Sequence, residues 1–265
     1  ATLRAGAPAV QTAHVVANPE ASPVAALRYA AFRLMMTIRP AGMASLGMSA
    51  GLYGTGMGFR RDVLRELGWR SFSITEDLEQ HLRLVAQGHR VSFLPHSTVA
   101  SPAPLTHEDA ESQQVRWEGG RFRLATRTAP AFAWRGLRRR DPVLVLAALD
   151  LTVPPQSLHA AGNVVLLLAS TLLGARRLRT VALLSTAGQM GYVAGGLVAT
   201  RAPASVWRAL LEAPVLVARK LGVFGRVAAG GTPQEFVRTH RDEVDPRAEP
   251  EIARKPPAGT GVSSS

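Results

Sequence analysis

Two neighbouring acids, Glu76 and Asp77, stand at the start of a helix predicted to run to Gln87 and to end at Gly88. A carboxylate within hydrogen-bond reach of a hydroxyl can take its proton as the oxygen attacks, so Asp77 is a candidate general base. The helix dipole favours the ionised form, which keeps such a base deprotonated but lowers its basicity. A structural explanation stays open, because Ser73 and Glu76 have the spacing of a capping box and Glu76 is expected to be structural.

The glycine-rich passage from Gly47 to Gly58 departs from both common phosphate-binding patterns, G-x-G-x-x-G and G-x-x-x-x-G-K-[ST]. It also lacks the order of strand and helix that those patterns require, so it does not predict a phosphate loop. Glycines leave room for backbone to approach a ligand closely, and they also form close-packed turns. Gly54 and Gly56 are therefore candidates for either role.

Three motifs follow one another along the chain: GTGMGFR at 54–60, TED at 75–77 and QQVRW at 113–117. Their order and spacing resemble the acceptor half of family-2 inverting glycosyltransferases, such as cellulose, hyaluronan and poly-N-acetylglucosamine synthases. The resemblance begins near Ala9 and covers about the first 130 residues. It implies an α/β fold with an incomplete GT-A-type domain, followed by an α-helical transmembrane hairpin and amphipathic helices.

This resemblance implies transfer of a hexose or N-acetylhexosamine, with inversion, from a nucleotide diphosphate sugar to a saccharide or lipid-linked acceptor. Asp77 would be the base that takes the acceptor proton. Gln113 and Arg116 share a helical face, where Arg116 can hold the diphosphate in a planar fork and Gln113 adds a neutral hydrogen bond. Trp117 offers a flat surface for the acceptor sugar, or it is a partly buried core residue. The loop of Gly54 and Gly56 would lie beside the acceptor.

Members of this family bind Mg or Mn through an early Asp and a D-x-D motif. The chain has no D-x-D, and no Asp precedes Asp62. We therefore expect the nucleotide-binding half and the metal ligands to lie outside this chain, in a longer enzyme or in a separate N-terminal half, and the chain alone to be inactive. The spacing of His81, His89 and His107 does not suit metal ligands, so no metal site is predicted here.

Residues 1–141 are predicted to form the acceptor-side half of the catalytic domain. Ser22 and Pro23 have the residue types of an N-cap and a first helical turn, and Pro40 is expected to end the helix that follows. The glycine pair 119–120 could bend the third long helix. The predicted elements are a strand over Ala9 to Val16, helices over 23–40, 61–67, 76–87 and 108–126, and a strand from Arg90 to Leu94 that ends before Pro95.

Residues 142–229 are predicted to be the membrane region, and two stretches have the length needed to cross a bilayer. Two buried helices of a soluble protein are the alternative. A hairpin places both ends on one side, so we expect a multi-pass protein of the cell membrane with a cytoplasmic catalytic region. The predicted parts are an interfacial helix at about 143–153, spans at about 156–174 and 180–200, an amphipathic helix at about 203–227, and a tail over 230–265 that is disordered from about 242.

The formal net charge is +12, and the chain contains no cysteine. Disulfides, thiolate metal sites and a cysteine nucleophile are therefore excluded. A basic chain suits partners that carry phosphate, which include lipid headgroups, nucleotides and nucleic acid. A non-catalytic basic membrane protein that binds anionic lipid or nucleic acid is therefore the alternative function, although it does not account for the ordered motifs.

Overall fold

The computed structural model describes residues 2–69, 73–212 and 214, without the side chains of residues 107–114. The elements are β1 (Ala9–Val16), α1 (Pro23–Arg33), a π-helical turn (Leu34–Ile38), α2 (Arg39–Ser45), β2 (Met57–Phe59), α3 (Arg61–Leu67), α4 (Glu76–Ala86), β3 (Val91–Ser101), α5 (His107–Arg127), α6 (Ala129–Arg139), α7 (Pro142–Thr152), α8 (Gln156–Leu172), α9 (Arg176–Ala199), α10 (Ala204–Ala209) and a 3₁₀ turn (Leu210–Glu212).

A three-stranded mixed sheet with helices around it makes the first part of the chain an α/β structure, as predicted. The strand order is β2-β1-β3, in which β1 is antiparallel to β2 and parallel to β3. β1 has the predicted bounds, and its side chains are almost all buried, which suits a central strand. The short strand β2 overlaps the end of the glycine-rich passage, where no strand was predicted.

The strand β3 continues past Pro95, so the prediction that it ends at Leu94 was wrong. Its register against β1 jumps between the pair Thr12 and Leu94 and the pair Ala13 and Thr98. The residues between form a bulge that leaves the ladder, and a proline without an N–H is tolerated there.

The first helical segment also passes its proline, so the prediction that Pro40 ends it was wrong. Ser22 caps α1 as predicted, since its side chain accepts the N–H of Ala25. The π-helical turn then shifts the hydrogen bonding, and the N–H of Arg39 donates to the carbonyl of Leu34. Pro40 falls in the first turn of α2, where the missing donor leaves no helical bond unmade.

Helices α4 to α7 pack around one hydrophobic core. α5 is continuous over its length, so the glycine pair 119–120 does not break it. Gly136 of α6 lies against α7, because a Cβ placed on it would be 2.9 Å from the backbone nitrogen of Val145. The core residues are Leu82, Val85, Leu124, Ala129, Val143, Leu144, Ala147, Ala148 and Leu151.

The predicted interfacial helix is α7, and it lies between this core and the surface. Val143, Leu144 and Leu151 are buried, whereas Leu146 and Leu149 on its other side are exposed. Arg121 of α5 donates to the carbonyls of Asp150 and Leu151 at 2.6 and 3.2 Å. These bonds cap the C-terminal end of α7 and hold it against α5. That α7 lies at a membrane surface stays a prediction.

Helices α8 and α9 form a hairpin close to the two predicted spans. α9 begins at Arg176, before the predicted start of the second span at about 180, so the arginines at 176, 177 and 179 belong to this helix. Inside the hairpin, His159 bonds Ser185 at 3.0 Å and Asn163 donates to Gln189 at 3.1 Å. The outer surface is apolar, with exposed Val164, Val165, Leu168, Leu172, Leu173, Val181, Leu183, Leu184, Met190 and Val198.

α9 is long and apolar enough to cross a membrane by itself. α7 and α8 together pass the same test of length and composition as one span bent by 71°. Of the predicted amphipathic helix over 203–227, whose amphipathic character stays a prediction, the structure describes α10, the 3₁₀ turn and Pro214. Its remainder, like the predicted tail over 230–265, lies outside the described residues.

Candidate functional site

The carboxylate of Asp77 faces Gly54 of the glycine-rich loop. Asp77 lies in the first turn of α4, which begins at Glu76 as predicted. A Cβ placed on Gly54 would be 3.3 Å from Oδ2 of Asp77. Gly54 has φ of 75°, a conformation that a glycine adopts without strain. The structure thus brings together two residues that the sequence marked separately, and no side chain stands between the loop and the acid.

The cap of α4 differs from the predicted capping box. Thr75 is the N-cap residue, and its side chain makes no capping hydrogen bond. Ser73 accepts the N–H of Thr75 at 3.3 Å and donates to Glu79 at 2.7 Å. Ser73 therefore pairs with Glu79, which also lies in the first turn of the helix, rather than with Glu76.

Burial raises the pKa of the Asp77 carboxyl from 3.8 to about 6. The negative charge of Glu76 raises this pKa further, while the N–H of Leu78, which donates to Oδ1 at 2.8 Å, lowers it. The expectation of lowered basicity at a helix N-terminus was therefore wrong, since desolvation outweighs the hydrogen bond. A carboxylate with a pKa near 6 is still ionised at neutral pH and is a stronger base than an exposed aspartate.

The loop that carries Gly54 is bonded to the central strand through Gln11, whose side chain is fully buried. The amide of Gln11 donates to the carbonyl of Thr55 at 2.7 Å and accepts the N–H of Tyr53 at 3.0 Å. Gly56 lies farther along, where an added Cβ would be 2.0 Å from Oγ1 of Thr12. Gly56 therefore packs against β1 as a close turn, and of the two glycines only Gly54 lies against Asp77.

A second buried contact fixes α4 from the other side. Ser49 Oγ accepts the N–H of Val91 at 3.0 Å and bonds Nε2 of His81 at 2.8 Å. Burial lowers the pKa of His81 to about 4, so the ring is neutral at physiological pH. His81 thus links α4 to β3. The sequence showed no signal for this role, because a lone histidine on a helix has no spacing to recognise.

Arg116 lies in α5, where that helix meets the start of α4. Gly120 allows this approach, since an added Cβ would be 2.4 Å from Cγ2 of Thr75. Arg116 is buried and lines a cavity of about 140 Å³. Asp77 is not part of the lining, which consists of Ser73, Ile74, Thr75, Glu79, Arg116, Gly120, Arg123, Leu124, Arg127 and Thr128.

This cavity has a basic lining. Arg116, Arg123 and Arg127 contribute three positive charges, and Glu79 contributes the negative one. Residues seven and eleven positions apart lie near the same face of a helix, so the three arginines follow one side of α5. Such a lining suits an anion, and guanidinium groups bind phosphate oxygens with paired hydrogen bonds.

Trp117 packs against α1 and is 38 % exposed. The guanidinium of Arg28 lies 4.9 Å from its ring centroid, and the ring of Phe32 lies 6.4 Å away. A cation over an aromatic face is an attractive contact, so α1 holds part of this ring. The remaining exposed part of Trp117 is the surface that a ligand could contact.

The third residue of this motif, Gln113, lies in α5, but its side chain is among those not described. A shared face with Arg116 therefore stays a prediction. In the part of the chain that the structure describes, no three His, Asp or Glu side chains come together as a metal-binding group.

Comparison with known proteins identifies the family. The model of the glycosyl transferase family group 2 matches residues 2–198. This range contains β1, the loop of Gly54, α4, α5 and most of the hairpin. No significant match is found among curated proteins. The match covers well over half of the 265 residues, and the chain belongs to the glycosyl transferase family group 2.

Proposed function

We propose that this glycosyltransferase moves a hexose or N-acetylhexosamine, with inversion, from a nucleotide diphosphate sugar to a hydroxyl of a saccharide or lipid-linked acceptor. The observation that carries the proposal is the contact between the Asp77 carboxylate and the loop of Gly54. This contact puts a basic carboxylate beside the glycine-rich loop, where a glycine and no larger side chain faces the acid.

Asp77 acts as the general base. The acceptor hydroxyl donates to the carboxylate, which takes the proton as the oxygen forms its bond to the anomeric carbon and the bond to the nucleotide diphosphate breaks. The pKa of about 6 supports this role, because the group is ionised at neutral pH and retains basicity. Such proton transfer contributes about 10²–10⁴-fold to a rate.

Arg116 stabilises the leaving diphosphate from its cavity, with Gln113 as a neutral donor. The basic lining of the cavity supports this assignment, since positive charge offsets the charge that develops on the leaving group. The exposed part of Trp117 receives the acceptor sugar. Because Arg28 and Phe32 hold the ring from α1, it offers the acceptor a fixed surface.

The protein is held at the cell membrane as a multi-pass protein, with its catalytic region in the cytoplasm. Support comes from the hairpin of α8 and α9, whose polar side chains bond to each other while its outer surface is apolar. In water this arrangement is costly, whereas a bilayer favours it.

The surface of α6 supports the proposal that the protein contacts an anionic membrane. Trp134 and Leu137 are 63 % and 60 % exposed on the side away from the core. Residues 119–140 contain seven arginines and no Asp or Glu. An exposed apolar stripe flanked by arginines suits the headgroup region of anionic lipid.

A divalent cation, Mg or Mn, is expected from the family for the intact enzyme. No cluster of three candidate ligands occurs among the described residues, so this part of the chain does not fit the metal. No step is assigned to the ion here, and its ligands are proposed to come from a nucleotide-binding half outside this chain.

The test compares Asp77→Asn with Glu76→Gln in the full-length protein, by measuring sugar transfer and hydrolysis of the nucleotide sugar. Asp77→Asn should lower transfer about 10²–10⁴-fold, because the amide cannot take the proton. Glu76→Gln removes the neighbouring acid and should retain transfer within about tenfold. Unchanged transfer in Asp77→Asn would remove this residue from the mechanism. Binding to lipid or nucleic acid without any turnover would favour the non-catalytic alternative.

A further inference from the structure

The buried amide of Gln11 uses both of its hydrogen-bonding ends on one loop. Nε2 donates to the carbonyl of Thr55 at 2.7 Å, and Oε1 accepts the N–H of Tyr53 at 3.0 Å. These two bonds reach the residues on either side of Gly54. Since Gln11 lies in the central strand and is 0 % exposed, the position of the loop is set from the interior of the sheet.

The loop in turn covers one side of the Asp77 carboxylate. An added Cβ on Gly54 would lie 3.3 Å from Oδ2 of Asp77, so backbone approaches one side of the carboxylate closely. Further bonds support the same loop, as the N–H of Ala50 donates to Val91 and that of Thr12 donates to Gly56, both at 3.0 Å. These bonds lie at its two ends, whereas those of Gln11 lie next to Gly54.

We infer that Gln11 is a positioning residue for sugar transfer, which holds the Gly54 backbone against Asp77 and keeps water from that side of the carboxylate. The inference rests on the proposed role of Asp77 as the base. Gln11 itself touches neither substrate nor acid. Its effect passes through two hydrogen bonds to the loop, so that a change in β1 alters the solvation of a side chain in α4.

The electrostatic surroundings of Asp77 support a solvation effect of this kind. Burial is the largest cause of its raised pKa, and Glu76 is the charged neighbour that adds to it. The loop side presents Gly54, which carries no charge. A displaced loop would therefore change the burial of Asp77 without removing a charged partner, and the pKa should fall toward the ordinary 3.8.

The experiment measures the pKa of Asp77 by carbon NMR of labelled aspartate in the full-length protein, assigned with Asp77→Asn. Gln11→Met keeps the length of the side chain and removes both hydrogen bonds to the loop, together with the bond that Nε2 donates to the carbonyl of Thr12 at 3.0 Å. Gln80→Met is the matched control, because Gln80 is also a fully buried glutamine, in the same helix as Asp77, and donates to the carbonyl of Gly68 at 3.0 Å. Both variants should lower the melting temperature.

Gln11→Met should lower the pKa of Asp77 by about one or more, and should lower kcat/KM about tenfold while moving its pH profile to lower pH. Gln80→Met should leave that pKa and that profile in place. If Gln11→Met does not fold, Gln11→Asn takes its place as the test variant. The shorter side chain of asparagine cannot reach both Tyr53 and Thr55, so the pKa of Asp77 should fall by a smaller amount.

An unchanged pKa of Asp77 in the folded Gln11 variant would overturn the inference, as would an equal shift in Gln80→Met. The pKa of Asp77 is measured by NMR, so this result does not depend on sugar transfer. If Asp77→Asn retains transfer but Gln11→Met still shifts the pKa, the catalytic role fails while the positioning contact stands.

Discussion

The protein buries polar side chains in two regions, and the surroundings of these side chains are opposite in character. One region is the loop and helix around Asp77, and the other is the hairpin of α8 and α9. Near Asp77, buried polar groups such as Gln11 and His81 bond to backbone and to Ser49 within a packed core. In the hairpin, Asn163 and Gln189 bond to each other while leucines and valines face outward. The comparison supports the proposal that the first region folds in water and that the hairpin lies in lipid.

Two leucines that are equally exposed, one in each region, should respond differently to substitution by arginine. Leu184 of α9 and Leu46 after α2 are 68 % and 69 % exposed. If the hairpin is a membrane span, Leu184→Arg should cost about 3 kcal/mol of insertion free energy, whereas Leu46→Arg on a surface in water should change stability by less than about 0.5 kcal/mol. Extraction of the membrane fraction at high pH, followed by thermal unfolding in detergent, measures both. Equal effects of Leu184→Arg and Leu46→Arg would mean that the two regions do not differ in their surroundings.

Glycines report how closely each helix is packed at two particular positions, one in each region. A Cβ on Gly136 would meet the backbone of Val145, while a Cβ on Gly188 of α9 would meet nothing within 4 Å. Gly136→Ala should therefore lose about 1–3 kcal/mol of unfolding free energy, because α6 and α7 must move apart. Gly188→Ala should be neutral or slightly stabilising, since alanine favours helix. Matching losses in a denaturation series would mean that the hairpin is packed as tightly as the core.

The proline positions show why the sequence predicted the elements better than their ends. The types of β1, α1, α3, α4 and α5 followed from periodicity and capping residues. A π-helical turn and a bulge then carried the chain past Pro40 and Pro95, because hydrogen bonding at those points depends on neighbouring backbone.

In the site, too, the sequence predicted individual residues but not their surroundings. Asp77 and Gly54 were predicted as residues, and the structure places them together. The burial that raises the pKa of Asp77 could not be predicted from the sequence, since it arises when β1 and the loop fold against α4. Gln11 and His81 were not chosen as site residues for the same reason. Their bonds join positions 42 and 32 residues apart in the chain.

Asp77 and His81, both in α4, should change the stability of the protein in opposite directions as the pH rises. The raised pKa of Asp77 means that stability falls as pH rises from about 4 to about 6, because the folded chain holds a proton that the unfolded chain releases. The lowered pKa of His81 means that its contribution is present above 6.5 and is lost as pH falls toward about 4.

Asp77→Asn should therefore be more stable than wild type at pH 7 by about 1–2 kcal/mol, and should lose stability more steeply below pH 6.5. Chemical denaturation across this pH range measures the difference. A parallel pH dependence in the two proteins would contradict the assigned pKa of Asp77. The hairpin variants should leave this dependence unchanged.

The smallest expected effect concerns the polar contact inside the hairpin. Asn163→Leu removes the hydrogen bond to Gln189 and should cost about 0.6 kcal/mol, because such bonds between membrane helices contribute little on average. Val165→Leu, on the outer surface of the same helix, is the control and should have no measurable effect. Unfolding in mixed micelles detects the difference, and a loss of several kcal/mol in Asn163→Leu would argue for a hairpin packed in water.

The central claim, that Asp77 is the base for sugar transfer, is tested most directly by the pH dependence of kcat/KM in the full-length enzyme. A base with this pKa predicts a rate that rises with pH and levels off above an apparent pKa of about 6, and a profile that is lost together with activity in Asp77→Asn. A rate that levels off near pH 4, or an Asp77→Asn enzyme with the wild-type profile, would contradict the assignment.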